Sequence, residues 1–170
     1  MTLSLYQASV PVFVTMLTNL STLLSKAEAH AKAKKIDETV FMNARLAPDM
    51  LPLPRQIQIA SDAAKGFTAR VGGVPVPSFE DTEKTFAELQ ERIKKTIDFI
   101  QSVKPEQIDG GEDREVTLKL GGVERNLKGQ GYLLGMALPN LFFHVTTAYG
   151  IMRHNGVEIG KMDFLGGYPT

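Results

Sequence analysis

Four stretches of this chain repeat apolar residues at alternating steps of three and four, a period that lays a single stripe along a helix. The first stripe is Phe13, Leu17, Leu20, Leu24, Ala27 and Ala31, and the second is Ile57, Ala60, Ala64, Phe67 and Val71. The third runs through Phe86, Leu89, Ile93, Ile97 and Ile100, and the fourth through Leu134, Leu138, Leu141, Val145, Ala148 and Met152. A striped helix has to bury its stripe, and four of them on relatively short connections share one core. The expectation is an all-α four-helix bundle, a single domain over residues 1–170, long enough to enclose a core.

Proline and glycine punctuate the pattern. Pro11 marks the first turn of the first helix, or bends a helix that starts near Ser4. Pro48, Pro52 and Pro54 prevent a long helix between Ile36 and Pro54, although Val40 to Leu46 can form a short turn. The second helix starts near Pro54 and stops at Gly72-Gly73, and Pro75 and Pro77 keep the following linker extended. Ser78, three residues before Asp81, reads as the cap of the third helix, and Pro105 follows its end. Val116, Leu118 and Leu120 then alternate with polar residues, and Gly121-Gly122 separates them from Val123 to Leu127, which predicts a small hairpin packed on the bundle. The fourth helix covers roughly Gly131 to Arg153, with a kink expected where Pro139 denies the Gly135 carbonyl its partner.

Composition narrows the function classes. Lys+Arg and Asp+Glu each count 19 and no segment is persistently basic, so no nucleic-acid partner is expected. The absence of cysteine removes disulfides, thiolate metal sites and cysteine nucleophiles. The apolar run Val10 to Leu24 is interrupted by Thr15, Thr18, Asn19, Ser21 and Thr22 and reads as too polar and too short for a bilayer. With no basic residue before Lys26 to make a secretory leader, no membrane partner and a cytoplasmic address are expected.

Chemistry has few candidates. The three histidines are His30, His144 and His154. On the fourth helix His144 falls about 60° from the stripe centre and His154 about 140° away, and roughly 15 Å of helix rise separates them. They cannot share a metal while that helix is continuous, and four residues beyond His144 stands Ala148 rather than a second ligand. Asn140, His144, Thr147, His154 and Glu158 fall in one sector beside the stripe, provided the helix continues past Gly156. A polar row at a core edge needs partners, and it reads either as a hydrogen-bonded seam or subunit contact, or as one wall of a pocket. Gly121-Gly122 and Gly166-Gly167 are turn formers without a phosphate-loop pattern, and Phe142, Phe143 and Tyr149 read as packing between helices or subunits.

The run Leu138-Pro-Asn-Leu-Phe-Phe-His144 through Gly156 to Gly166, with the opening Ser4-Leu-Tyr-Gln-Ala-Ser-Val-Pro-Val-Phe13, resembles a bacterial family of unknown function grouped with the DinB/YfiT-like helical bundles. The resemblance covers essentially the whole chain. It implies the bundle fold and a group that includes metal-dependent enzymes such as thiol transferases. Metal-binding members of that group use one histidine on the second helix and two, four residues apart, on the last. Here the second helix has none, and only His154 resembles a ligand, because Gly150 stands four residues before it. Group members often have a long crossover between the second and third helices, which would bring His30 and His154 toward one end. An up-down-up-down bundle would separate them, and Gly72 to Ser78 is short for a crossover.

Three functional expectations follow. The first is a small-molecule-binding domain with a degenerate metal site, working as a homodimer. The second is a divalent-metal-dependent transferase or hydrolase with an unusual site built from His144 or His154 plus Glu158 or another chain's carboxylate. The third is a structural or interaction homodimer in which the histidines are satisfied core or interface groups.

Overall fold

The computed structural model describes residues 3–167. Four long helices form the body: α1 (Val10–Lys34), α3 (Leu53–Gly72), α4 (Phe86–Ser102) and α7 (Leu138–His154). Short helices α2 (Glu38–Asn43), α5 (Pro105–Ile108), α6 (Gly129–Tyr132) and α8 (Lys161–Leu165) and a hairpin of β1 (Glu115–Leu120) and β2 (Val123–Lys128) complete the fold. Pro11 lies in the first turn of α1, where a missing N–H costs nothing. The hairpin is antiparallel, Leu120 pairs with Val123, and Gly121 and Gly122 both take positive φ, the backbone a tight two-residue turn requires. Val116 and Leu118 face the core, and the Leu120 side chain lies outside the described residues.

The four apolar stripes meet in one core. Phe13, Leu17, Leu20, Leu24, Ile57, Ala60, Ala64, Phe67, Leu89, Ile93, Leu141, Val145 and Met152 are all buried. The stripe on the last helix shifts at its N-terminal end: Leu134 is 58% exposed, whereas Leu133 and Ala137 are buried. The cause is a π turn over Leu133–Ala137, in which the Leu138 N–H reaches the Leu133 carbonyl. The turn stands immediately ahead of Pro139, whose ring cannot donate to Gly135, and its extra residue rotates everything before it by one position.

The connection between α3 and α4 settles the topology. A Cβ on Gly156, just past α7, would stand 3.7 Å from the His30 ring near the end of α1, so α1 and α7 run parallel. Gln90 near the start of α4 donates to the Ser25 hydroxyl on the later half of α1, and the C-terminal turn of α3 approaches Val103 beyond the end of α4. Hence α3 and α4 run parallel to each other and opposite to α1 and α7. The chain crosses the full length of the bundle between them. It does so because α4 begins at Phe86, not at Ser78. Thr85 caps it by accepting from the Glu88 N–H at 3.2 Å, and Glu88 reaches back to the Lys84 N–H at 2.6 Å. A threonine with a glutamate three residues on is the preferred capping pair, and it outcompetes Ser78 with Asp81. The resulting strap, Gly73 to Thr85, can span roughly 40 Å when extended, against roughly 25 Å for α4 itself.

By length and composition α1 could cross a bilayer, with a mean hydropathy of 1.2 in its most apolar 18-residue window. This corrects the reading of that run as too short, because the helix continues to Lys34. Half of the window is buried inside the bundle.

Candidate functional site

The sequence row on the last helix divides in the structure. His144 and Thr147 are buried, Asn140 is half-buried, and His154 is exposed. Helix α7 ends at His154, with Asn155 as its cap and Gly156 at φ +87°, so Glu158 leaves the helical row. Glu158 lies instead beside His30, Lys26 and Lys34 in a shallow cleft between the ends of α1 and α7. Thr147 spends its hydroxyl on the Phe143 carbonyl at 2.8 Å, within its own helix.

His144 meets α3. Its Nδ1 is 2.7 Å from Gln56 Oε1, and Gln56 Nε2 donates to the Leu51 carbonyl at 2.8 Å. The second contact fixes which way the Gln56 amide faces, and that fixes the imidazole tautomer: Nδ1 donates and Nε2 keeps its lone pair. Burial, aided by the nearby Arg55 guanidinium, holds the His144 pKa below its ordinary value, so the ring is neutral at pH 7. The Phe143 ring stands edge-on to it, 5.1 Å between centroids. Gln56 is 2% exposed and went unrecognised in the sequence, where it was only one of several polar residues on its helix.

An oriented neutral imidazole is the kind of group that accepts a proton or ligates a metal, but it needs companions. Among the described residues no group of three His, Asp or Glu side chains converges as metal ligands. The position four residues before His154 is filled: a Cβ on Gly150 would lie 3.3 Å from Leu46 Cδ1, so a larger side chain there must displace Leu46. The residues present therefore do not fit a metal centre of the kind the resemblance implies.

The opposite flank of α3 carries charge. Arg92, 3% exposed, donates to the Glu80 carbonyl at 3.1 Å and pairs with Asp62 at 3.1 Å, Asp81 at 2.9 Å and Glu83 at 3.0 Å. Lys65 pairs with Asp62 at 2.9 Å and stands 4.3 Å from the centroid of the Phe79 ring. Arg55 bonds Asp81 and also Gln58 at 2.7 Å, and Gln58 donates to Glu83 at 2.7 Å. Three cations and three carboxylates thus join the strap to α3 and α4. Burial pushes the Asp81 carboxyl up, but Arg55 and Arg92 outweigh it and hold its pKa below the ordinary value. The spacing of Ser61, Lys65 and Thr68 could have flagged this face, since all three lie on one side of α3.

Comparison with known proteins agrees with this architecture. Residues 5–165 match the family model described as a domain of unknown function, DUF1993. The chain belongs to the DUF1993 family. The crystal structure of a DinB family member protein from Shewanella denitrificans is similar to this DUF1993 chain at 41% identity and a TM-score of 0.88, covering 98% of this chain and 94% of that one. No curated protein matches. The DUF1993 chain is accordingly an uncharacterised DinB-like bundle.

Proposed function

We propose that this chain is a small-molecule-binding member of the DinB-like group that works without the group's metal centre. The observation that carries the reading is Leu46 packed on Gly150, where the group's pattern would put a ligand, while the buried histidine of α7 is committed to Gln56. An oriented amide–imidazole pair, with Leu51 at the Gln56 end and Phe143 at the His144 end both exposed, suits an amphipathic small molecule with one hydrogen-bonding group. The test is elemental analysis of protein purified without an affinity tag or chelator, with titrations of nickel, zinc and manganese into wild type, His144→Ala and His154→Ala. The expected result is no near-stoichiometric metal in any of them. Metal bound by wild type and lost from one histidine variant would restore the metal-dependent transferase or hydrolase.

The same reading includes a homodimer through α7. From Gly129 to Met152 there is no charged residue, yet Leu134, Phe142 and Phe143 are 58%, 38% and 57% exposed. A helix facing water normally presents charge on its outer side, and an uncharged outer face is suited to burial against another protein. Sedimentation analysis should give a dimer that Phe143→Glu converts to a monomer; a monomeric wild type would count against the interface.

A further inference from the structure

The way α7 ends dictates two residues. The Gly156 N–H donates to the Arg153 carbonyl at 3.1 Å and the Val157 N–H to the Met152 carbonyl at 3.2 Å, the paired closure of a Schellman motif, and Met152 and Val157 are both buried. Gly156 stands at φ +87°, a conformation that favours glycine. The residue before it, Asn155, donates its side-chain Nδ2 to the Ile151 carbonyl at 2.8 Å, and its backbone N–H reaches the same oxygen at 3.1 Å. The cap is thus built from asparagine followed by glycine, the one such pair in the sequence. The same pair is chemically exposed. A glycine nitrogen has no neighbouring Cβ to shield it from the preceding side-chain amide, and Gly156 is open to water.

We propose that Asn155 is a self-modifying site, deamidated through a cyclic imide formed with Gly156 at a rate set by opening of the α7 cap. The Gly156 nitrogen gives its proton to water and attacks Asn155 Cγ. The bond from Cγ to the side-chain nitrogen breaks, and that nitrogen leaves as ammonia with a proton from water. Water then opens either carbonyl of the five-membered imide, giving aspartate or isoaspartate; nothing is oxidised or reduced. The folded cap holds this reaction off. At ψ 15° for Asn155 the Gly156 nitrogen nearly eclipses Asn155's own nitrogen and is turned away from Cβ, so the ring closes only after the cap has opened. Conversion cannot be undone by reclosing. Aspartate sets a carboxylate against the Ile151 carbonyl in place of a donor, at the helix end where negative charge is unfavourable. Isoaspartate adds one carbon to the main chain and breaks the register of both cap bonds. Beyond the cap, Val157 and Ile159 enter the core, and α8 is held to α1 by Asn19 donating to the Phe164 carbonyl at 3.0 Å and by the Lys26–Asp163 pair. Deamidation therefore loosens the segment that docks α8.

The experiment is incubation of the full chain in mildly alkaline buffer, folded or in guanidinium chloride, with peptide mapping by mass spectrometry to follow amide-to-acid conversion at Asn155. The unfolded chain should convert at Asn155 to a mixture of aspartate and isoaspartate, and the folded chain at least about tenfold more slowly. Val157→Ala, which trims the apolar contact under the cap and leaves the reacting pair intact, should convert faster than wild type while keeping its circular dichroism. Hydrogen exchange at the Gly156 and Val157 N–H groups of wild type measures cap opening without any variant, and its protection should match the slowing of deamidation. Asn155→Asp, which stands for one product, should lower Tm by about 3 °C. Equal rates in the folded and unfolded chains overturn the proposal, because the cap then sets nothing. So does an unfolded chain that leaves Asn155 intact, a deamidation rate that does not follow the exchange protection, or an Asn155→Asp variant with the wild-type Tm.

Discussion

Helix α3 is buried on nearly every side, and its two polar flanks handle that burial differently. Toward α7 the contact is neutral and directional, a chain from the His144 imidazole through the Gln56 amide to the Leu51 carbonyl. Toward α4 it is ionic and many-partnered, with Arg55, Lys65 and Arg92 facing Asp62, Asp81 and Glu83. The neutral chain desolvates no charge, and it fixes one side chain in one tautomer. The ionic cluster has to desolvate Arg92 and Lys65, and it fixes a connection. A crossover strap containing Pro75 and Pro77, with Pro77 and Phe79 only half-buried, has little apolar surface to hold it down. Charge does so instead. One flank defines a side-chain orientation, the other a topology.

The ionic flank should be the more costly to break. Arg92→Leu leaves Glu83, whose side chain is 11% exposed, facing a seam without its main cation. Removing one partner of a buried pair costs about 3–5 kcal/mol, and the half-open Asp62 and Asp81 place the expected loss near the lower end, about 3 kcal/mol. Urea unfolding of the variant measures it. A loss under about 1 kcal/mol would show the cluster to be screened like a surface network, and the distinction between the flanks would fail.

The neutral flank comes next. His144→Ala strands Gln56 Oε1 in a buried place without a donor, which costs about 1–3 kcal/mol. A double-mutant cycle with Gln56→Ala should recover about 1 kcal/mol of coupling; additive losses would mean that the two side chains pack without a working hydrogen bond.

Acid separates the flanks more sharply than mutation does. The folded pKa of His144 lies below its unfolded value of about 6.5, so below that pH the unfolded chain takes up the proton first. The stability due to neutral His144 is complete above about pH 6.5 and falls as the pH drops toward the folded value. Asp81 has a folded pKa below 3.8, so its contribution is complete above that value and is lost only as the pH falls further, through the folded pKa. Stability measured from pH 7.5 to 5.5 should decline in wild type and decline less in His144→Ala. An unchanged slope in the variant would remove the histidine from the account.

These flanks also mark how far the sequence could be read. Periodicity exposed the four stripes, because burying a helix face requires apolar residues at fixed steps. It also placed His144 at the core edge, since one residue's angle on a helix needs no knowledge of its partner. Its partner could not be read, because Gln56 precedes it by 88 positions and only the antiparallel docking of α3 on α7 makes them meet. The strap was misread for a local reason. Ser78 and Asp81 look like a cap in isolation, but Asp81 is taken by Arg55 and Arg92, and Thr85 with Glu88 makes the better cap. Glu158 was misplaced because the row was carried beyond Gly156, whose positive φ ends the helix.

The smallest expected effect on stability carries the sharpest information about the α7 flank. Gly150→Ala puts a methyl 3.3 Å from Leu46 Cδ1, a contact that Leu46, 45% exposed, can relieve by a small shift. Glycine within a helix is itself unfavourable by roughly 0.5–1 kcal/mol relative to alanine, so the two effects should nearly cancel. Gly150→His combined with Leu46→Ala then clears the space and sets an imidazole four residues before His154, on the same face of α7. Two imidazoles at that spacing form a metal-binding pair on a helix, so the double variant should gain nickel or zinc binding in a titration while Leu46→Ala alone gains none. If the double variant folds and binds no metal, Leu46 is not what keeps a metal pair off α7, and the explanation has to move to α3, where Gln56 stands against α7 and no histidine is present.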